Sequence, residues 1–372
     1  MVSRALLSVA PVLMVLVLII SNANIKSLLR QPVVVWSFAP LLLFITGWYQ
    51  AYNDVETYDY LLTVAIYPVA ALAAICFITE HEKPYQYTWI IIGLLSISYP
   101  LYNYIVHAAQ INIAYGQGQS LPTFMEGDHV RYGIFLNSLL LVVACTKSLK
   151  PIVKNTVLIL LVLLILFMAV RTAWVGLIII IIVGAVSKNF PSYKLFRSLL
   201  LLFIPAFIIA CLAMPTVRKK IQYTLYDYQS YDPKKDVSNF SDGTRRSINY
   251  AAWKSVTEDK KGGSGWASIP INLEASFRKQ FPAHTITFYW PFNQWLFWWM
   301  GSGFTGMLLF TLWLLWPVWY GIKNNQYLLV AWTLVIFASC LVESTLSFQY
   351  GVFLHAWPLT LFWRHHQTKA II

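Results

Sequence analysis

The sequence predicts an all-α fold, a polytopic transmembrane helix bundle of about 11–12 spans, with one long extracytoplasmic loop region. Three observations carry this. Of 372 residues, 58% are hydrophobic and only 11% charged, with a mean hydropathy of +0.60; a soluble chain of this length needs far more charge to cover its surface. Apolar runs of roughly 17–22 residues recur, the length that crosses a bilayer's hydrocarbon core as a helix with its own backbone hydrogen bonds satisfied. One long stretch, 214–292, breaks the pattern with basic and aromatic residues, among them Lys219, Lys220, Tyr223, Arg245, Arg246, Lys260, Lys261, Trp266 and Phe288. The chain reads as a single polytopic membrane domain, 1–372, with 214–292 as a loop carrying short helices within it.

Taken in order, the candidate spans are Ala5–Ser21, Val33–Tyr49, Tyr60–Thr79, Tyr87–Val106, Tyr132–Thr146, Thr156–Val170, Ala173–Val186 and Leu195–Ala213. Gly303–Tyr320, Tyr327–Leu341 and Gly351–Trp363 follow the polar stretch. The first run has no small-residue cleavage site and reads as a retained helix. Lys147, Lys150 and Lys154 share one short connection, Lys188, Lys194 and Arg197 another; Lys323, Arg364 and Lys369 follow later spans. Short basic loops stay in the cytoplasm, whereas long loops translocate regardless of charge. The N-terminus and the long loop then lie outside and the C-terminus inside. The 22 Tyr, 22 Phe and 16 Trp suit interfacial belts. Trp290–Met300, almost wholly aromatic, predicts a short interfacial helix.

The net charge of +12 reads as topology and contact with anionic membrane lipids, not as nucleic-acid binding. Cys76, Cys145, Cys211 and Cys340 each fall inside a predicted span. That speaks against a disulfide framework and a metal site. No cofactor is called for.

Arg171 opens a span at the outer mouth of the bundle, where a charge is costly and needs a partner. It is either a snorkelling arginine or a guanidinium that forks onto phosphate oxygens. Arg245 and Arg246 follow Ser241-Asp242-Gly243-Thr244, where Asp242 or Thr244 would cap a helix; a solvated charged turn is the alternative. Gly262-Gly263-Ser264-Gly265 reads as a turn. His284, ahead of the aromatic helix, is a candidate general base. A second outer loop, His107–Arg131, ends in Glu126-Gly127-Asp128-His129-Val130-Arg131; Asp128, His129 and Arg131 form either an acid/base group or an ion-paired helix start. Glu343 and Gln349 are placed to satisfy a buried arginine.

In this order the elements resemble the O-antigen ligase family of bacterial inner-membrane glycosyltransferases. The resemblance is carried by Arg171-Thr-Ala-Trp174-Val-Gly176, Ser241-Asp-Gly-Thr-Arg245-Arg246, Gly263-Ser-Gly265, Asn293-Gln-Trp-Leu296, Gly303-Phe-Thr-Gly306 and Glu343-Ser-Thr-Leu346. It covers roughly residues 128–352. The resemblance implies transfer of a glycan from undecaprenyl diphosphate to an acceptor hydroxyl, such as a lipid A core sugar, on the periplasmic face of the inner membrane. It gives Arg171 and Arg245, or its neighbour Arg246, the diphosphate, with no metal. Asp128, His129, Arg131, Asn293 and Glu343 then fall on the acceptor side or around the site. The family pattern has a histidine before the asparagine. Here Phe292 precedes Asn293, and the expectation passes to His284. A polymerase of lipid-linked glycan shares this chemistry. A transporter of lipid-linked sugar would show matching halves with ionisable residues near the midplane, and a scaffold would not need arginine-bearing spans beneath a basic lid.

Overall fold

The computed structural model describes residues 9–10, 12–17, 25–47, 55–125, 128–236, 240–258, 263–286 and 289–364. Most of the run at Ala5–Ser21, with Glu126, Lys260, Lys261, Gly262, Phe288 and Lys369, lies outside them.

After a one-turn helix at Ile25–Leu29, the chain runs through α1 (Pro32–Ile45), α2 (Val55–Gly116), α3 (His129–Cys145), α4 (Pro151–Phe167), α5 (Arg171–Val186) and α6 (Tyr193–Ala213). Three lid helices follow: α7 (Pro215–Ser230), α8 (Ser241–Glu258) and α9 (Ser268–Gln280). The chain returns through α10 (Gln294–Lys323), α11 (Tyr327–Val342) and α12 (Gln349–Arg364). There is no strand among the described residues. Thr57–Ile78, His81–Gly116, Tyr193–Ala213 and Gln294–Lys323 are long and apolar enough to cross a membrane, and shorter apolar helices fill the spaces between them.

α3 is the axis of the bundle. Tyr132–Cys145 is buried at every position, because the segment is apolar on all faces and must be surrounded. Small residues let its neighbour approach: a Cβ on Gly133 would lie 2.7 Å from that of Ala173 on α5. Asn137 on α3 donates to the Ala173 carbonyl at 3.1 Å. Close backbone approach with an interhelical hydrogen bond is how helices associate where lipid removes the hydrophobic drive. α6 sits outermost. Only Phe196 and Ala210 are buried, while Leu201, Ile204 and Leu212 are at least 71% exposed, as expected of a face turned to hydrocarbon.

Two expectations shift. The second outer loop is shorter than His107–Arg131, because α2 bends at His107 and stays helical to Gly116. Tyr115 holds that end: its hydroxyl donates to the Met168 carbonyl at 2.7 Å and accepts the Leu121 N–H at 3.2 Å. The aromatic segment forms the first part of α10, which breaks at Gly303 (φ 77°), a left-handed conformation suited to glycine.

The lid is pinned to one end of the bundle. Trp266 is buried, stacks on Phe44 of α1 with ring centroids 5.5 Å apart, and donates to the Phe44 carbonyl at 2.9 Å. Gly263–Gly265 is an anchored strap rather than a free turn: Ser264 and Gly265 donate backbone N–H groups to the carbonyls of Met300 and Gly301 at 2.8 and 3.0 Å. Lys147 lies in the turn between α3 and α4, Lys150 and Lys154 at the start of α4, and Lys323 at the end of α10.

A Cβ on Gly301 would meet Trp266 at 2.2 Å. Gly301→Ala is therefore expected to unseat the strap and to cost about 1–3 kcal/mol by overpacking. A lower thermal unfolding midpoint and faster proteolysis of the lid in purified protein would register it.

Candidate functional site

The site forms where α5 and α8 meet at their N-termini, below the lid. Arg171, the first residue of α5, forks its two terminal nitrogens onto both carboxylate oxygens of Asp242 in the first turn of α8. The paired side chains keep 35% and 32% exposure. A guanidinium has five N–H donors, so three remain after a bidentate pair.

Asp242 does not cap its own helix. Asp227 of α7 does, accepting the backbone N–H groups of Asp242 at 2.8 Å and Gly243 at 3.1 Å. The Tyr223 hydroxyl accepts from the Ser241 N–H at 3.0 Å. This external capping frees Asp242 to hold Arg171. Burial pushes the Asp242 carboxyl up, but Arg171, Arg245 and Lys220 together outweigh it and leave the group below the usual carboxylate range.

One turn along α8, Arg245 pairs with Glu343, just beyond the end of α11. Its guanidinium lies 5.2 Å from the centre of the Phe292 ring, a cation–π distance. Phe292 is fixed there by Asn249, which accepts its N–H at 2.8 Å. Arg246 stands over Tyr231 at 4.6 Å. Arg171, Arg245 and Arg246 line one cavity of about 450 Å³, walled by α5, α8 and α11. Arg171 and Val175 also line a second, apolar groove of about 350 Å³ between α5, α6 and α7, with Trp174, Ile178, Phe203 and Phe207.

A third cavity of about 610 Å³ lies at the starts of α2, α3 and α12, lined by Asp59, Asp128, Arg131, Phe348 and Gln349 among others. Here Asp128 accepts the Arg131 N–H at 3.0 Å, capping α3, and pairs with the Arg131 side chain. Arg131 sits 4.4 Å from the centre of the Phe348 ring. This is the ion-paired helix start; His129 is the first residue of the helix. Glu343 lies between the two polar cavities. Burial lifts its carboxyl above the ordinary range; Arg245 and Arg131 pull it down, and Asp128 pushes it up.

Asn293 has a structural position, capping α10 through the N–H groups of Trp295 and Leu296 at 2.9 and 3.1 Å. Its side-chain amide also donates to the Leu341 carbonyl at 2.9 Å, tying α10 to the end of α11. His284 is 2% exposed. It packs against Phe277 and Phe281, with Nε2 3.3 Å from the Pro233 carbonyl. Its surroundings are lid residues, and it is not brought together with Arg171 and Arg245.

Two residues carry the site without having been singled out for it. Asp227 had no signal, since its partners are backbone amides 15 and 16 positions away. Lys220 was one basic residue among many. It is 6% exposed and donates to the Gly118 and Gln119 carbonyls at 3.0 and 3.4 Å. Burial, then the nearby Arg171, brings its ammonium down to about 8.

These features define a helical membrane protein that gathers guanidinium groups around a cavity between bundle and lid. Residues 156–311 match the family model described as O-antigen ligase. The match runs from α4 into α10, less than half of the 372 residues, and is a likeness of that stretch to the family. The matched stretch holds Arg171, Arg245, Arg246, His284 and Asn293; Asp128, His129, Arg131 and Glu343 lie outside it. No curated protein matches the chain.

Lys220 sets a pH signature. Its folded-state value of about 8 lies below the ordinary lysine value of 10.5, so the unfolded chain holds more protons between the two. The penalty for burying the charge is fully present below pH 8 and is relieved as pH rises toward 10.5. Lys220→Met is expected to remove that gain, seen as an unfolding midpoint that rises less with pH in the mutant than in the wild type, so that the difference between the two changes across this window.

Proposed function

We propose that this protein transfers a glycan from undecaprenyl diphosphate to an acceptor hydroxyl, with a lipid A core sugar as the acceptor, on the periplasmic face of the bacterial inner membrane. The observation that carries this is the position of Arg171. It borders both the arginine-lined cavity and the apolar groove between α5, α6 and α7. A ligand that needs both at once has an anionic headgroup joined to a long hydrocarbon tail. A polyprenyl diphosphate has that build.

In this reading Arg171, Arg245 and Arg246 hold the diphosphate. Guanidinium groups suit phosphate because their planar fork matches its oxygens. Asp242 and Glu343 fix two of those forks before the ligand arrives. As the bond from sugar to phosphate breaks, negative charge grows on the departing diphosphate, and prepositioned cations stabilise it without reorganising. The arginines supply that neutralisation, with no metal needed. The cavity at Asp128 and Arg131 takes the acceptor sugar, whose hydroxyls match a carboxylate and a guanidinium. In this reading the short basic connections face the cytoplasm and the site lies outside.

Arg171→Ala and the double variant Arg245→Ala/Arg246→Ala are each expected to lower transfer by at least about 100-fold, the scale of losing a group that stabilises developing charge, while inserting normally. Unchanged rates in both would remove the arginines from the mechanism. In the host, deletion of the gene is expected to abolish the O-antigen ladder on lipopolysaccharide gels and to leave polymerised lipid-linked glycan. A single repeat left on the core would point instead to a polymerase, and an unchanged ladder to neither.

A further inference from the structure

We propose that Glu343 is the general base of the transfer, taking the proton of the acceptor hydroxyl at a point between the two polar cavities. The proposal rests on the donor and acceptor assignment above and deepens it.

The placement is the main argument. Glu343 stands at the start of a short segment that both cavities share as a wall. Leu341 and Val342 line the arginine cavity, and Ser347, Phe348, Gln349 and Tyr350 line the other. The segment is rigid. Its 3₁₀ turn, Thr345–Ser347, is held by Gln294 of α10, which accepts the Leu346 N–H at 2.8 Å and donates to the Ser347 hydroxyl at 3.0 Å. A Cβ on Gly351 would lie 1.8 Å from the Thr345 carbonyl oxygen, so the start of α12 presses directly on the turn. The carboxylate is thus fixed between a donor site and an acceptor site rather than carried on a mobile loop.

Three other carboxylates near the two cavities are committed. Asp227 spends both oxygens on the α8 amides. Asp242 is forked by Arg171 and held below the usual range, which makes it a weak proton acceptor. Asp128 is engaged by Arg131 and its own helix cap. Glu343 is 12% exposed and pairs with Arg245. Its carboxyl is displaced upward by burial, with Arg245, Arg131 and Asp128 the charges that face it. A base works best when its affinity for the proton approaches that of the working medium. When diphosphate binds Arg245, it competes for the same guanidinium and loosens the grip on Glu343, so the carboxylate becomes available as the donor arrives.

In the step itself, the acceptor oxygen attacks the anomeric carbon and its proton passes to a Glu343 oxygen. The bond between that carbon and the phosphate oxygen breaks, and its electron pair leaves on the diphosphate. A neutral carboxylic acid and a diphosphate anion result, and release of the proton to water restores the base.

The test uses the full-length protein in vesicles with a polyprenyl-diphosphate oligosaccharide donor. Donor affinity, transfer rate and rescue by azide are measured for Glu343→Ala and Glu343→Gln. Azide is a nucleophile that has no proton to lose. A base role predicts a loss in kcat of about 100-fold or more, donor affinity within about threefold of wild type, and glycosyl azide formed by Glu343→Ala at a rate well above its rate with the hydroxyl acceptor. Wild-type kcat in either variant overturns the proposal. So does a donor affinity that falls in step with kcat, or the absence of azide rescue, because Glu343 would then only position Arg245. Wild-type protein that neither binds nor transfers the donor defeats the underlying donor assignment, and this proposal with it.

Discussion

The forked pair between Arg171 and Asp242 is the contact on which the arrangement depends. One partner opens a membrane helix and the other opens a lid helix, so the pair sets the height and angle of the lid above the bundle. A charge at the mouth of a membrane bundle is tolerated only with a partner. Removing one member of a buried or half-buried pair costs far more than the pair contributes, because the survivor is left uncompensated. The pair therefore acts as a positioning device more than as a source of stability. It also holds the guanidinium at the wall of the cavity, with one terminal nitrogen 3.5 Å from the Thr224 hydroxyl.

Around this contact the site is built by lending groups between elements. Asp227 on α7 caps α8, so Asp242 need not. Asn249 on α8 fixes Phe292, and Phe292 supports Arg245. Asn293 caps α10 and reaches the end of α11. The side chains around the cavity are oriented by partners on other elements. That is how a site keeps several like charges close together without letting them splay into solvent.

The bundle was largely legible from the sequence, because spanning segments must be long, apolar and helical. Each candidate span among the described residues lies on a helix, from Val33–Tyr49 through Gly351–Trp363. Arg171 and the pairing of Glu343 with an arginine were also legible, since a charge bordering an apolar run demands a partner. What could not be read was which groups meet across the lid. Asp242 looked like a helix cap, and only the fold reveals that Asp227 supplies the cap from another helix. Lys220 was one cation among many until α7 folded it against the Gly118 carbonyl. His284 read as a candidate general base; the aromatic packing that encloses it comes from Phe277 and Phe281, on and just after α9.

The strap at Gly263–Gly265 has a bearing on how the protein is made. Trp266 docks on Phe44, 222 positions earlier in the chain, and Arg245 waits for Glu343, which is synthesised nearly a hundred residues later. Contacts so distant along the chain form late. As the ribosome delivers successive helices to the membrane, the lid emerges long before α11 and α12 exist to receive it. The arginine cavity closes only when the last hairpin has been threaded through the bilayer. A nascent or truncated chain thus presents its basic lid without a finished cavity, and the order of synthesis itself withholds the assembled site until the last helices are in place.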